Sequence, residues 1–112
     1  MDFQVTNIDN VAVIVLSGEV LDAGNSQEFK DRIVPLLEEN QRVVFDMSAL
    51  RFVDSSGCGA LLSCLRRLKA DGGNLKLCCV SKQVNSLFKL IRMDKILDVF
   101  NTRDEAVKAF QE

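Results

Sequence analysis

The chain contains no histidine. Without an imidazole it has no side chain whose ordinary pKa lies close to neutrality, and the Ser-His-Asp and Cys-His arrangements and the usual zinc sites are excluded too. Cysteine occurs four times, as Cys58, Cys64, Cys78 and Cys79, and never as a CxxC pair. Neighbouring residues of a strand point to opposite faces, so Cys78 and Cys79 are expected on opposite sides, which argues against a zinc knuckle or a redox motif. Cysteines used in this way are small buried side chains in a reducing cytosol. The longest apolar run is Val11–Leu16. That is far short of the ~18 residues that cross a bilayer, and the N-terminus has no basic-then-apolar signal profile. A cytoplasmic protein with no membrane partner is expected. An excess of one charge is missing too: 14 Lys and Arg stand against 16 Asp and Glu, for a formal charge of −2, with no block of like sign. That balance argues against nucleic acid as a partner. No cofactor and no metal site are expected.

What is present suits a self-sufficient core. Of the 112 residues, 47% are hydrophobic and 27% charged, the composition of a globular protein. A chain of this length buries about two-thirds of its unfolded surface. One domain over residues 1–112 is expected, and nothing in it demands more than a monomer.

Periodicity gives the order of elements. Phe3 and Val5 alternate with Asp2, Gln4 and Thr6, and the turn residues Asp9 and Asn10 lead into Val11–Leu16, so residues 2–17 read as a hairpin whose second strand is the more buried. Asn25 followed by Glu28, then Phe29, Ile33, Leu36 and Leu37, predicts a capped helix over 26–39, with Pro35 kinking it or breaking its last turn. Arg42–Asp46 is a β-branched strand, and from Ser56 the stripe of Leu61, Leu62, Leu65 and Leu68 is helical until Gly72 and Gly73. Leu75–Val80 is a further strand, and Ser81 caps a helix presenting Val84, Leu87, Phe88 and Ile91. Asp98–Phe100 is a last short strand, before a Thr102–Glu105 capping box that opens a terminal helix. The order is α/β. It calls for a mixed, mostly parallel sheet of about five strands with an antiparallel N-terminal edge strand and about four helices. Lys76 interrupts an apolar strand, so one sheet face is expected to be thinly covered.

The informative segment is Asp54-Ser55-Ser56-Gly57-Cys58-Gly59. A loop that feeds straight into a helix leaves the first backbone amides without intrahelical partners and gives that end a partial positive charge. The plain reading of Ser55 or Ser56 is an N-cap, a common role worth ~1 kcal/mol. The functional reading is a hydroxyl open to phosphorylation, which would add nearly two negative charges at a helix start that tolerates them, beside Asp54, which does not. Gly57, Gly59, Ala60 and Ser63 read as a small outward side that lets another backbone come close or, equally, as tight packing against the protein's own neighbouring elements. Gly18–Asp22 leaves a strand at the same end of the sheet, where functional loops gather, so Asp22 is a candidate neighbour of Ser56. An enzyme with Ser56 or Cys58 as nucleophile would need a lysine or carboxylate base, and no Gly-x-Ser-x-Gly elbow supports one.

Taken together, the chain resembles the STAS domain of bacterial anti-sigma factor antagonists. The match runs through the hairpin ending in Gly18-Glu19, the Asp22–Ser26 helix start, the Val43–Asp46 strand, Val53–Gly59, Met93–Ile96, Phe100–Thr102 and Glu105-Ala106. In that context Asp54-Ser55-Ser56-Gly57-Cys58-Gly59 is a specific match. The resemblance implies partner switching. The unphosphorylated domain binds an anti-sigma factor that is also a serine protein kinase of the histidine-kinase-like ATPase fold, freeing the sigma factor or another client. The kinase phosphorylates Ser56, a metal-dependent serine phosphatase restores it, and the domain is a substrate, not an enzyme. Asp22, Asp54, Ser55, Gly57, Cys58 and Gly59 are implied to support the phosphosite or the partner surface. The alternative is a constitutive scaffold or subunit of a larger assembly, with Ser56 only a helix cap. Two departures stand out: Gly18–Asp22 is one residue longer than the usual family form, and Cys58 replaces a larger aliphatic residue.

Overall fold

The computed structural model describes residues 1–111. Its first hairpin pairs β1 (Phe3–Ile8) with β2 (Val11–Leu16), from Phe3 opposite Leu16 to Ile8 opposite Val11. The two connecting residues, Asp9 (φ 52°) and Asn10 (φ 68°), are both left-handed, as the mirror-image hairpin turn requires and as short polar side chains tolerate. After β2 come β3 (Val20–Leu21), α1 (Ser26–Glu39), β4 (Arg42–Asp46), β5 (Phe52–Val53) and α2 (Ser55–Ala70). Then follow β6 (Asn74–Cys78), α3 (Lys82–Leu90), a 3-10 turn at Met93–Lys95, β7 (Asp98–Phe100) and α4 (Arg103–Gln111).

The main sheet has the order β1-β2-β4-β6-β7, antiparallel only between β1 and β2. β2 is apolar throughout because both of its faces are covered. On one side Phe29 and Ile33 of α1, Leu61 and Leu65 of α2 and Phe88 of α3 pack on Ile14, Phe45 and Leu77. Edge-to-face contacts of Phe29 with Phe3 (5.8 Å) and Phe45 (6.2 Å) tie β1, α1 and β4 together. On the other side α4 alone lays Ala106 and Val107 over Val11, Val13 and Val44. The thinner layer is where Lys76 sits. Its Nζ is 2.9 Å from Asp98 Oδ2 and lies against the rings of Phe100 and Phe110, which shield a cation that would otherwise be costly to bury.

Several local expectations are corrected. β3 and β5 form a separate two-stranded parallel sheet, Val20 beside Phe52 and Leu21 beside Val53, where the sequence reads as loop. α1 runs through Pro35 to Glu39 without a broken last turn. Pro35 and Asp31, whose carbonyl loses its partner, are both exposed, on the solvent side of the helix. Asn25 makes no side-chain cap to α1. It turns back instead, accepting from the Asp22 N–H and donating to the Val20 carbonyl. Ile91 falls just past α3 and is exposed. Finally, Cys79 has φ 62° and breaks the alternation of β6. Cys78 and Cys79 therefore both face the α4 layer, not opposite sides of the sheet.

Candidate functional site

The turn from β5 into α2 is built around Asp54. Its backbone is extended, and its Oδ1 accepts from the Gly57 N–H at 2.9 Å. Oδ2 accepts from the Ala23 N–H at 3.0 Å, across from the loop that follows β3. Asp54 is thus the cap of α2, and the expected capping role of Ser55 or Ser56 is corrected. The two serines are the first residues of the helix proper and both are exposed. With the cap supplied by a carboxylate, the Ser56 hydroxyl carries no structural duty at the helix end.

The carboxylate is fixed in its ionised form. The Gly57 N–H holds the Asp54 carboxyl below its ordinary value, and the amides of Ala23 and Ser56 act in the same direction against a desolvation penalty.

Beyond Ser56 the glycines divide. A β-carbon on Gly57 would overlap the Leu21 carbonyl oxygen and press on Val53 Cγ1, whereas one on Gly59 would meet nothing within 4 Å. Gly57 and Ala60 are buried, so for these two the outward reading is corrected and packing within the chain holds: Gly57 is small because the end of β3 lies against it. The exposed side of the first turns is Ser56 and Gly59, continued by the half-buried Ser63, at the i, i+3, i+7 spacing of one helix face. Cys58 is 5% exposed and faces the core. Burial, with the Asp54 charge, raises its thiol pKa, and burial pushes that of Cys64 up to about 12. Neither is a thiolate at neutral pH, so neither is an activated nucleophile.

Asp22 is half-buried in the loop beside this helix start. Its Oδ1 accepts from the Gly24 N–H at 2.9 Å and its carbonyl accepts from Ser26 at 2.8 Å. The residues on either side of it hold α2. The Leu21 carbonyl accepts from the Asp54 N–H at 3.3 Å, and Ala23 donates to the Asp54 carboxylate. The structure therefore brings the Asp22 loop to the start of α2, with the Asp22 carboxylate engaged in its own turn.

Sequence reasoning missed Phe52. It is 54% exposed, two residues before Asp54, and it lines a shallow groove of about 260 Å³ with Arg51, Val53, Gln83, Val84 and Leu87. Nothing in the sequence marks it as exposed, because its place beside Val20 is set by the tertiary fold. A wider cleft lies at the opposite end of the sheet, among Asn7, Asp9, Asn10 and Glu39–Arg42. It is polar and open, and no reactive side chains converge on it.

Three helices on one sheet face and a fourth on the other define a class of small mixed α/β domain. The chain belongs to the STAS domain family, whose model matches residues 2–106. A Bordetella bronchiseptica protein bearing the name of an anti-sigma factor antagonist, BtrV, is 26% identical over 112 residues, covering 99% of this chain and 96% of that one. A solved anti-sigma factor antagonist from Thermotoga maritima superposes with a TM-score of 0.89 at 21% identity, covering 98% of this chain and 95% of the other. The phosphorylated form of the Bacillus cell fate determinant SpoIIAA superposes with a TM-score of 0.68 at 24% identity, over 97% of this chain and 99% of that one.

Proposed function

We propose that this domain is an anti-sigma factor antagonist controlled by phosphorylation of Ser56. Unphosphorylated, it binds an anti-sigma factor that is also a serine protein kinase of the histidine-kinase-like ATPase fold, and the sigma factor or other client is released. Phosphorylated, it lets the kinase go, and a metal-dependent serine phosphatase resets it. The domain acts as a cytoplasmic monomer and as a substrate, not as an enzyme.

The observation that carries this reading is the division of labour at the start of α2, where Asp54 caps the helix and leaves Ser56 exposed. A phosphate there meets the positive end of the helix and adds nearly two negative charges to the docking face beside Asp54. The names of the BtrV and Thermotoga maritima relatives and the phosphorylated form of SpoIIAA support the same reading.

Incubation with a serine kinase of this class and ATP, followed by peptide mass spectrometry, is expected to place one phosphate on Ser56 and none on Ser56→Ala. Ser56→Ala is expected to bind the kinase and Ser56→Asp to fail. Phosphate on another residue, or equal binding by the two variants, would overturn the proposal, the latter in favour of a constitutive scaffold.

A further inference from the structure

We propose that Cys78 and Cys79 form a chelating dithiol site, on the α4 side of the sheet, for a trivalent arsenical. The alternation of a strand ordinarily separates adjacent side chains, but the left-handed backbone of Cys79 returns its side chain to the face that Cys78 occupies. The two sulfurs and a carboxylate oxygen of Asp46 all lie within 4.8 Å of one another. The backbone on both sides is pinned, since the Cys78 carbonyl accepts from the Met47 N–H at 3.0 Å and the Cys79 N–H donates to the Phe100 carbonyl at 3.2 Å. Cys78 is fully buried, while Cys79 is half-buried and opens the pair to solvent. Two thiols held together in this way bind a soft centre with the second bond made intramolecular.

The charges around the pair select the class of ligand. A divalent cation needs both thiols as thiolates. Two thiolates would stand beside the Asp46 carboxylate in a largely buried place, with Arg103 as the one cation that touches it among the described residues. Asp46 is itself committed, one oxygen accepting from Arg103 Nη2 at 2.9 Å and the other from the Ser48 N–H at 3.0 Å. An organoarsenic dihydroxide, in contrast, condenses with neutral thiols. Two As–O and two S–H bonds break, two As–S bonds form, two water molecules leave, and nothing is oxidised or charged.

The test uses the whole chain and phenylarsine oxide, which hydrates to the dihydroxide. One equivalent is expected to add, to withstand excess 2-mercaptoethanol and to leave with 2,3-dimercaptopropanol. Cys79→Ser, at the half-buried position, is expected to lose the adduct, and Cys64→Ala, on the other face of the sheet, to keep it. Because both thiols lie on one face of the folded chain, the adduct is expected to raise the melting temperature of the native protein and leave that of Cys79→Ser unchanged. An adduct retained by Cys79→Ser, a lowered melting temperature, or failure of the native protein to add the reagent would overturn the proposal. One equivalent of Zn2+ held in its place, and lost in Cys79→Ser, would overturn the assigned class.

Discussion

Gly57 lies against the carbonyl of Leu21 so closely that no side chain fits between α2 and the end of β3. Gly57→Ala is therefore expected to force the two elements apart at a cost of about 1–3 kcal/mol, the usual range for overpacking. Gly59→Ala, two residues on with open space around it, is expected to stabilise by about 0.4–1 kcal/mol, as removing a glycine from an unstrained position does. Urea unfolding of the two variants checks the pair; equal effects would contradict the packing described.

Ser56→Ala is expected to change stability by no more than about 0.5 kcal/mol, as at an ordinary surface position, because Asp54 and not Ser56 caps α2. Asp54→Ala is expected to be clearly less stable than the native protein, through loss of the cap, and to loosen the Ala23 contact as well. Hydrogen exchange at the amides of Gly57 and Ala23 would register both losses. A Ser56→Ala variant as destabilised as Asp54→Ala would return the serine to a capping role.

Arg103 of α4 reaches Asp46 at the end of β4, 2.9 Å away. Replacing Arg103 by Met leaves a buried carboxylate without its cation, and a loss of about 1–3 kcal/mol is expected, the range for stranding a buried polar partner. Thermal or urea denaturation measures it.

Acid should unfold the protein partly through the same carboxylate. Burial works against ionised Asp46, but the Arg103 hydrogen bond, aided by Ser48, outweighs it and holds the pKa below the ordinary 3.8. A folded pKa below the unfolded one means that the stabilisation is complete above pH ~4 and disappears as the pH falls through the folded value. Asp46→Asn is therefore expected to be less stable at neutral pH but to show a shallower loss below pH ~4. Stability against pH for the two proteins, unfolded in urea at each pH, decides it; parallel curves would contradict the assignment.

Much of this arrangement was legible because its signals are local. Thr102 and Glu105 announce the start of α4, and in the structure the Glu105 N–H donates to Thr102 Oγ1 at 3.2 Å. Ser81 does the same for α3, accepting from the Val84 N–H at 3.3 Å. The β3–β5 pair was not legible, since two-residue strands have no period to read and Val20 beside Phe52 is a tertiary fact. Asn25 looks like a cap and is drawn away by the Val20 carbonyl. At the site, Ser56 was legible as an exposed hydroxyl at a helix start, but the direction of Gly57 was not, because it depends on where the Leu21 carbonyl comes to lie. The turn of Cys79 was hidden for a similar reason: nothing in a Cys-Cys pair announces a left-handed backbone.

The Asp54 carboxylate has one further consequence. Both of its oxygens are held by backbone amides, of Gly57 and Ala23, so its position is set by the helix start and not by the Ser56 hydroxyl. On the proposed reading, the domain has no clock of its own. The lifetime of each state is set by the enzymes that visit it, so the chain works as a memory element written and erased from outside.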